Sequence, residues 1–287
     1  MVTISVIVCT YNQEATIARA LDAILAQQCT VPYEVIIGED ASTDNTRKIC
    51  QEYAKKYPDI IRIMPEAPNK GIVDNYYGCV REAKGEYIME CAGDDEWCAG
   101  RMQLCIDTIK SNDGVVQVFS QVYYRNDHTG EITEPDNFLF PTGMIKGKDV
   151  IEGMMHQRSD QNVFFAITRR RAIISLLNQH PEFFSGRKYR AEDKQLIVLL
   201  GTKGDFINLS NRTYYYTIDN SSITRGSIAK HIHYNINMLR LNHDLAKAVN
   251  YRGSMLPTYL HIIYITCRLV LWKSLIKMFP FLHHFHH

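Results

Sequence analysis

Residues 4–27, ISVIVCTYNQEATIARALDAILAQ, and residues 34–46, EVIIGEDASTDNT, decide the fold class. Ile4 to Cys9 is a short, uncharged run rich in β-branched residues, the pattern of a strand covered on both faces. Ala15 to Gln28 then repeats apolar residues at helical spacing, Glu34 to Gly38 returns to the strand pattern, and Asn45 to Tyr57 to the helical one. Strand, helix, strand, helix in this order predicts right-handed βαβ units, and hence an α/β fold with a largely parallel central sheet flanked by helices. Outward from this start, strands are predicted at Ile60 to Met64, Tyr87 to Cys91 and Val115 to Tyr124, with a helix over Ile72 to Ala83. Ligands of such sheets bind beyond the carboxyl ends of the strands. The polar residues waiting there are Thr10, Tyr11 and Asn12, then Glu39 and Asp40, then Asp94 and Asp95.

Arg125 to Lys146 is polar and carries Gly130, Pro135, Pro141 and Gly143, which predicts a long excursion of the kind that serves as a lid or acceptor loop. A strand at Val163 to Thr168, helices at Arg170 to Gln179 and Asp193 to Leu200, and a hairpin-like pair, Asp205 to Leu209 with Arg212 to Tyr216, are expected to follow. From about Gly226 the pattern is helical. Its last part, Tyr259 to Leu282, is apolar but interrupted by Arg268, Lys273 and Lys277, so it predicts a packed or interfacial helix rather than a membrane span.

With 287 residues, 46% of them hydrophobic and 22% charged, the chain is long enough for one large domain and an appendage. Its 32 basic residues nearly balance 31 acidic ones, so no overall field recruits nucleic acid. The eight cysteines are scattered without a CxxC pair, which speaks against a zinc site or disulfide scaffold and for reduced thiols. Met1-Val2-Thr3 leads directly into the first strand without a signal-peptide pattern. The expected location is cytoplasmic. The terminal His283-His284-Phe285-His286-His287 is set aside as a tag-like tail.

Asp94 and Asp95 carry the strongest chemical signal, because two adjacent acids at a strand end repel each other unless a cation or donors compensate. A hard divalent ion, Mg²⁺ or Mn²⁺, held by them would supply that compensation. No GxGxxG follows the first strand, which excludes a Rossmann dehydrogenase, and a P-loop is likewise absent.

These two stretches, together with residues 69–97, NKGIVDNYYGCVREAKGEYIMECAGDDEW, resemble family 2 glycosyltransferases of the GT-A fold. The likeness is strong over residues 1–110 and weaker to about residue 225. It implies a catalytic domain over 1–225, with a nucleotide-sugar half at 1–110 and an acceptor half at 111–225, followed by a helical C-terminal extension over 226–287. It implies an inverting transfer from a nucleoside diphosphate sugar, a UDP-sugar for preference, to a hydroxyl of a glycan or lipid-linked acceptor. Asp40 is placed at the base, with Tyr11 beside it and Thr10 and Glu39 close by. Asn69, Lys70 and Gly71 form a loop by the nucleotide, and Asn75 lies one turn on. Asp95 is implied as the direct metal ligand, with Asp94 at the ribose or metal.

Glu192-Asp193 matches the motif whose Asp takes the acceptor proton, although two acids are also ordinary at a helix N-terminus. Asp219 stands where relatives have a metal-reaching histidine; it is either a hard oxygen ligand or a turn residue. Ser42 and Asp44 are expected to cap the following helix. The chain departs from the family at Ala92, where an acid is usual. A nucleotidyltransferase and a non-catalytic nucleotide-sugar-binding module are the alternatives. The C-terminal helix is expected either to meet a membrane surface peripherally or to pack on the domain or on a second copy.

Overall fold

The structure, a computed structural model, describes residues 2–135, 140–156, 166–186, 189, 193–218, 228–260, 262–264 and 267. Ile4, Val6 and Val8 of β1 (Ile4–Thr10) are buried in one hydrophobic core and Ile7 in a second, as alternation along a doubly covered strand requires. Ile17, Ala20, Leu21 and Ile24 line one stripe of α1 (Ile17–Leu25) and close the first core. Then follow β2 (Tyr33–Glu39), α2 (Thr46–Lys56), β3 (Ile61–Ile63), α3 (Ile72–Glu82), β4 (Tyr87–Ala92), β5 (Glu96–Trp97), α4 (Arg101–Lys110) and β6 (Val115–Asn126). The second half comprises β7 (Ile132–Thr133), β8 (Gly143–Ile145), α5 (Gly147–Met155), β9 (Ala166–Arg169), α6 (Arg170–Gln179), α7 (Asp193–Leu200), β10 (Asp205–Ile218) and α8 (Ile228–Ala248).

The strands form one sheet of order β3-β2-β1-β4-β9-β6-β10-β5, with β7 added on β6 and β8 on β10. β3, β2, β1 and β4 are parallel. The antiparallel β9 then joins β4 to β6, so the sheet is mixed in its second half. Residues of α1, α2 and α4 fill the core on one face, and residues of α3, α5, α6, α7 and α8 the core on the other. All carboxyl ends of the parallel strands therefore open on the same side.

The hairpin expected at residues 205–216 does not exist. Asp205 to Ile218 is a single strand, parallel to β6 along its length, with register shifts between Leu209 and Arg212 and again before Tyr214. Ser210 and Asn211 look like a turn in sequence, but the long β6 offers backbone partners to both halves, and the extra residues are absorbed as a bulge. The excursion at Arg125 to Lys146 holds the short strands β7 and β8, and Phe140 within it is buried. Helices α4 and α5 were not anticipated. The predicted strand residues 163–165 lie outside the described residues, as do Asp219, Glu192 and nearly all of the tail beyond residue 264.

Candidate active site

Two side-chain clusters meet at the carboxyl ends of β1, β2 and β4. On the β2 side Asp40 is buried; its Oδ1 accepts from Lys70 N at 2.9 Å and its Oδ2 from Gly71 N at 2.8 Å, while Asn69 Nδ2 donates to Asp40 O at 2.9 Å. Gly71 sits at φ +85°, where a side chain would be strained. Asp40 thus holds the loop of residues 69–71 against β2. Its own N–H donates to Thr10 O at 3.1 Å. Immediately after Tyr11 and Asp40, Asn12 and Ala41 adopt φ +53° and +61°; such a conformation costs roughly 1–2 kcal/mol at Ala41. Cross-bonds hold it in place: Asn12 N donates to Ser42 Oγ at 3.0 Å and Thr43 N to Asn12 Oδ1 at 2.8 Å.

The other residues expected around the nucleotide divide by what they touch. Tyr11 stands 47% exposed at the end of β1, an aromatic face open to a ligand. Lys70 is half-buried. Asn75 is buried and donates to Gly38 O at 2.6 Å, fastening α3 to β2. Glu39 is also turned inward: Oε1 accepts from Ser42 N at 2.6 Å and Oε2 from Arg47 Nη1 at 2.7 Å. Burial alone would raise its pKa, but the bonds from Ser42 and the Arg47 guanidinium hold it below the usual range. Glu39 is thereby an ion-paired support of the loop that follows it. Asp44 accepts from Thr46 N at 2.9 Å and from Glu14 N at 3.1 Å, so it also ties that loop to the β1 turn.

On the β4 side the two acids differ. Asp95 is 1% exposed and both its oxygens accept from β10: Oδ2 from the Tyr214 hydroxyl at 2.9 Å and Oδ1 from Thr217 N at 2.8 Å. The same hydroxyl accepts from Ala92 N at 3.3 Å. Asp94 is bound by its backbone carbonyl, which accepts from Thr217 Oγ1 at 2.6 Å and Arg19 Nη2 at 2.9 Å. Its carboxyl is half-buried and takes a bond from the Gln13 side chain. Thr10 Oγ1 donates to Gln13 Oε1 at 2.8 Å, so Thr10 and Gln13 connect the two clusters. Gly93 leaves room for this bridge, since a β-carbon there would lie 2.4 Å from Gln13 Oε1 and 2.7 Å from Thr10 Oγ1.

Burial and then the neighbouring Asp94 charge push the Asp95 carboxyl well up, and burial raises Asp94 as well, with Asp127 adding to it and Arg19 opposing. Among the described residues no three His, Cys, Asp or Glu side chains converge on one point. The donor set is Asp94 with Asp95 behind it: hard, crowded carboxylate oxygens that suit a divalent cation drawing its other ligands from substrate and water.

Gln13, Arg19, Tyr214 and Thr217 were not singled out in the sequence, although each touches the acid pair or its backbone. Arg101 lies fully buried behind Tyr214, its guanidinium 5.0 Å from the Tyr214 ring and 5.4 Å from the Trp97 ring. Asp193 stands on a different element, as the first residue of α7, where Oδ1 accepts from Lys194 N at 2.7 Å. Beside it burial lowers Lys194 to about 8 against the Asp193 charge.

The family model described as glycosyl transferase family 2 matches residues 5–184. The chain belongs to this family. Its fold is the GT-A fold: it superposes on Staphylococcus aureus TarS residues 1–349, solved with UDP-GlcNAc, with a TM-score of 0.61 at 19% identity, over 83% of this chain and 66% of that one. The mannosyltransferase PcManGT of Pyrobaculum calidifontis, solved with GDP-Man and Mn²⁺, gives 0.56 at 20% identity over 92% and 69%. Among curated proteins, the putative glycosyltransferase EpsE of Bacillus subtilis is 38% identical over 92 residues, 32% of this chain and 33% of EpsE. The dTDP-rhamnosyl transferase RfbG of Shigella flexneri is 36% identical over 109 residues, 36% of this chain and 37% of RfbG. The matched stretch is thus about a third of the length of these relatives.

Proposed function

We propose that this family 2 member is an inverting, metal-dependent transferase. It moves a sugar from a nucleoside diphosphate sugar, a UDP-sugar for preference, to a hydroxyl of a glycan or lipid-linked acceptor in surface polysaccharide or glycolipid assembly. The work is done on the cytoplasmic side, at a membrane surface. One observation carries the reading: the exposed Tyr11 and the Asp40-fastened loop of residues 69–71 lie across the Thr10–Gln13 bridge from Asp94. That arrangement offers a seat for the base beside a seat for the diphosphate. The nucleotides bound by TarS and PcManGT, and the Mn²⁺ of the latter, support it, and the family match favours it over a nucleotidyltransferase.

In this reading Asp94 takes the place of Asp95 nearest the cation, because both Asp95 oxygens already accept from Tyr214 and Thr217. Held there, a divalent cation would supply Lewis-acid neutralisation of the departing diphosphate. Tyr11 covers the base, and Lys70 adds positive charge beside the nucleotide. Asp193 accepts the proton of the acceptor hydroxyl as its oxygen bonds to the anomeric carbon from the face opposite the leaving group. The electron pair of the broken bond departs with the diphosphate, and configuration inverts. Asp219 remains a candidate further ligand.

The test is nucleoside diphosphate release measured with Mn²⁺ and a panel of donors and acceptors. Asp193→Asn is expected to keep donor affinity and lose on the order of 10²–10⁴ in rate, whereas Asp94→Asn is expected to lose cation-dependent donor binding. Full activity after chelation would overturn the metal assignment, and a binder without turnover would release no diphosphate with any acceptor.

A further inference from the structure

The helical residues 256–260 and 262–264 have two unlike sides. Met255, Thr258 and Ile262, at helical spacing, are turned inward. Met255 packs on the α5/α7/α8 core, and Thr258, buried, donates to Met155 O at 3.3 Å and lies 3.0 Å from His156 Nδ1. His156 in turn meets the Tyr251 hydroxyl at 2.7 Å, and that hydroxyl donates to Glu152 at 2.8 Å. This side is fixed to the end of α5. On the other side Leu256 is 61% exposed, Leu260 56%, Ile263 49% and Tyr264 60%. Spacing i, i+4, i+7, i+8 lines them up in one stripe, and four large apolar side chains left contiguous on a surface mark a contact.

Charge selects the occupant. From Leu245 to His287 the chain carries Lys247, Arg252, Arg268, Lys273 and Lys277 and no Asp or Glu, so all 31 acidic residues precede it. Lys247 and Arg252, which precede the stripe in sequence, are exposed. Two copies of so basic a segment, brought face to face, would repel each other. A bilayer surface with anionic phospholipid headgroups offers the complement to both features, apolar depth for the stripe and negative charge for the cations. Among the described residues no helix is long and apolar enough to cross a membrane, which fits a helix lying in the interface.

We propose that the stripe Leu256, Leu260, Ile263 and Tyr264 is the membrane-docking surface of the protein, seated in an anionic lipid interface. The proposal deepens the membrane-surface reading above, but it does not require the donor or acceptor assignment. The full chain is mixed with sedimentable vesicles of phosphatidylcholine alone or with about one third phosphatidylglycerol, at low and high salt. Binding is expected with the anionic vesicles and to weaken in salt. Leu260→Glu with Ile263→Glu, both at exposed positions, is expected to lower the partition coefficient at least tenfold while the melting temperature and the mass in solution stay those of the wild type. Equal sedimentation of variant and wild type, or none by the wild type, overturns the proposal. A wild-type dimer that the double substitution splits, without vesicle binding, assigns the stripe to a second copy instead. Because vesicle binding is read without substrate, failure of the transferase reading would leave this result standing.

Discussion

Glu90 shows how far one residue can depart from its surroundings. It lies in the middle of β4, wholly buried, with Oε1 accepting from the Tyr76 hydroxyl at 3.2 Å and no partner for Oε2. Burial raises its pKa from 4.5 to about 8, against the opposing Arg101 charge and the Tyr76 bond. The folded chain therefore keeps a proton that the unfolded chain releases. Stability from this group is fully present below about pH 4.5 and is lost as pH rises through about 8. At pH 7 the loss is on the order of 3 kcal/mol. Glu90→Gln, which fixes the neutral form, is expected to be more stable than the wild type at pH 7 in urea melts, with the gap closing toward pH 4.5. Parallel curves across that range would show that Glu90 does not stay protonated. Nothing at the sequence level marked this acid beyond its place in an apolar run, YIMECA, because burial depends on β1, β9 and α3 closing around it.

At the scale of elements, the stitch between β4 and β10 organises the acid pair. Tyr214 and Thr217 of β10 reach the loop after β4, which positions Asp94 by capping its neighbour. Tyr214→Phe removes one of two donors to a buried carboxylate, a loss of about 1–3 kcal/mol. It is expected to lower stability by that amount and to raise several-fold the Mn²⁺ concentration giving half-maximal donor binding, read by thermal shift. Unchanged metal dependence would mean that Asp95 plays no part in orienting Asp94. This stitch explains which parts were legible. β1, β2, α3 and α7 follow from local periodicity, and Asp40, Asp94 and Asp95 from their places at strand ends. The contacts of Tyr214 with Asp95, and of Gln13 with Asp94, depend on long-range pairing: the Tyr214 pair is 119 residues apart. The hairpin reading of residues 205–216 hid it further, since a turn at Ser210 and Asn211 would have turned Arg212 to Tyr216 back on itself. α4 was missed because its first residue, Arg101, breaks the apolar pattern, yet it is buried against Trp97 and Tyr214 through its cationic face.

For the molecule as a whole, the division expected at residue 225 does not separate two hydrophobic cores. Leu241 and Leu245 of α8 are buried in the same core as Leu196 and Leu200 of α7 and Val150 of α5, and Tyr189 donates to Asp244. The segment that carries the docking stripe is thus packed through α8 onto the helices behind Asp193. We infer one cooperative unit, in which loss of packing at α8 is felt in the nucleotide half. Leu245→Ala leaves a cavity in a closed site and is expected to cost about 2–5 kcal/mol. The chain has two tryptophans, Trp97 and Trp272, so a Trp272→Phe background leaves Trp97, buried beside the acid pair, as the fluorescent reporter of the nucleotide half. Urea melts followed by Trp97 emission and by helical circular dichroism are expected to coincide, and Leu245→Ala to shift both midpoints together. If the substitution moved only the helical signal and left the Trp97 transition in place, the extension would be a separate folding unit, and membrane docking would reach the catalytic half through a tether instead of a shared core.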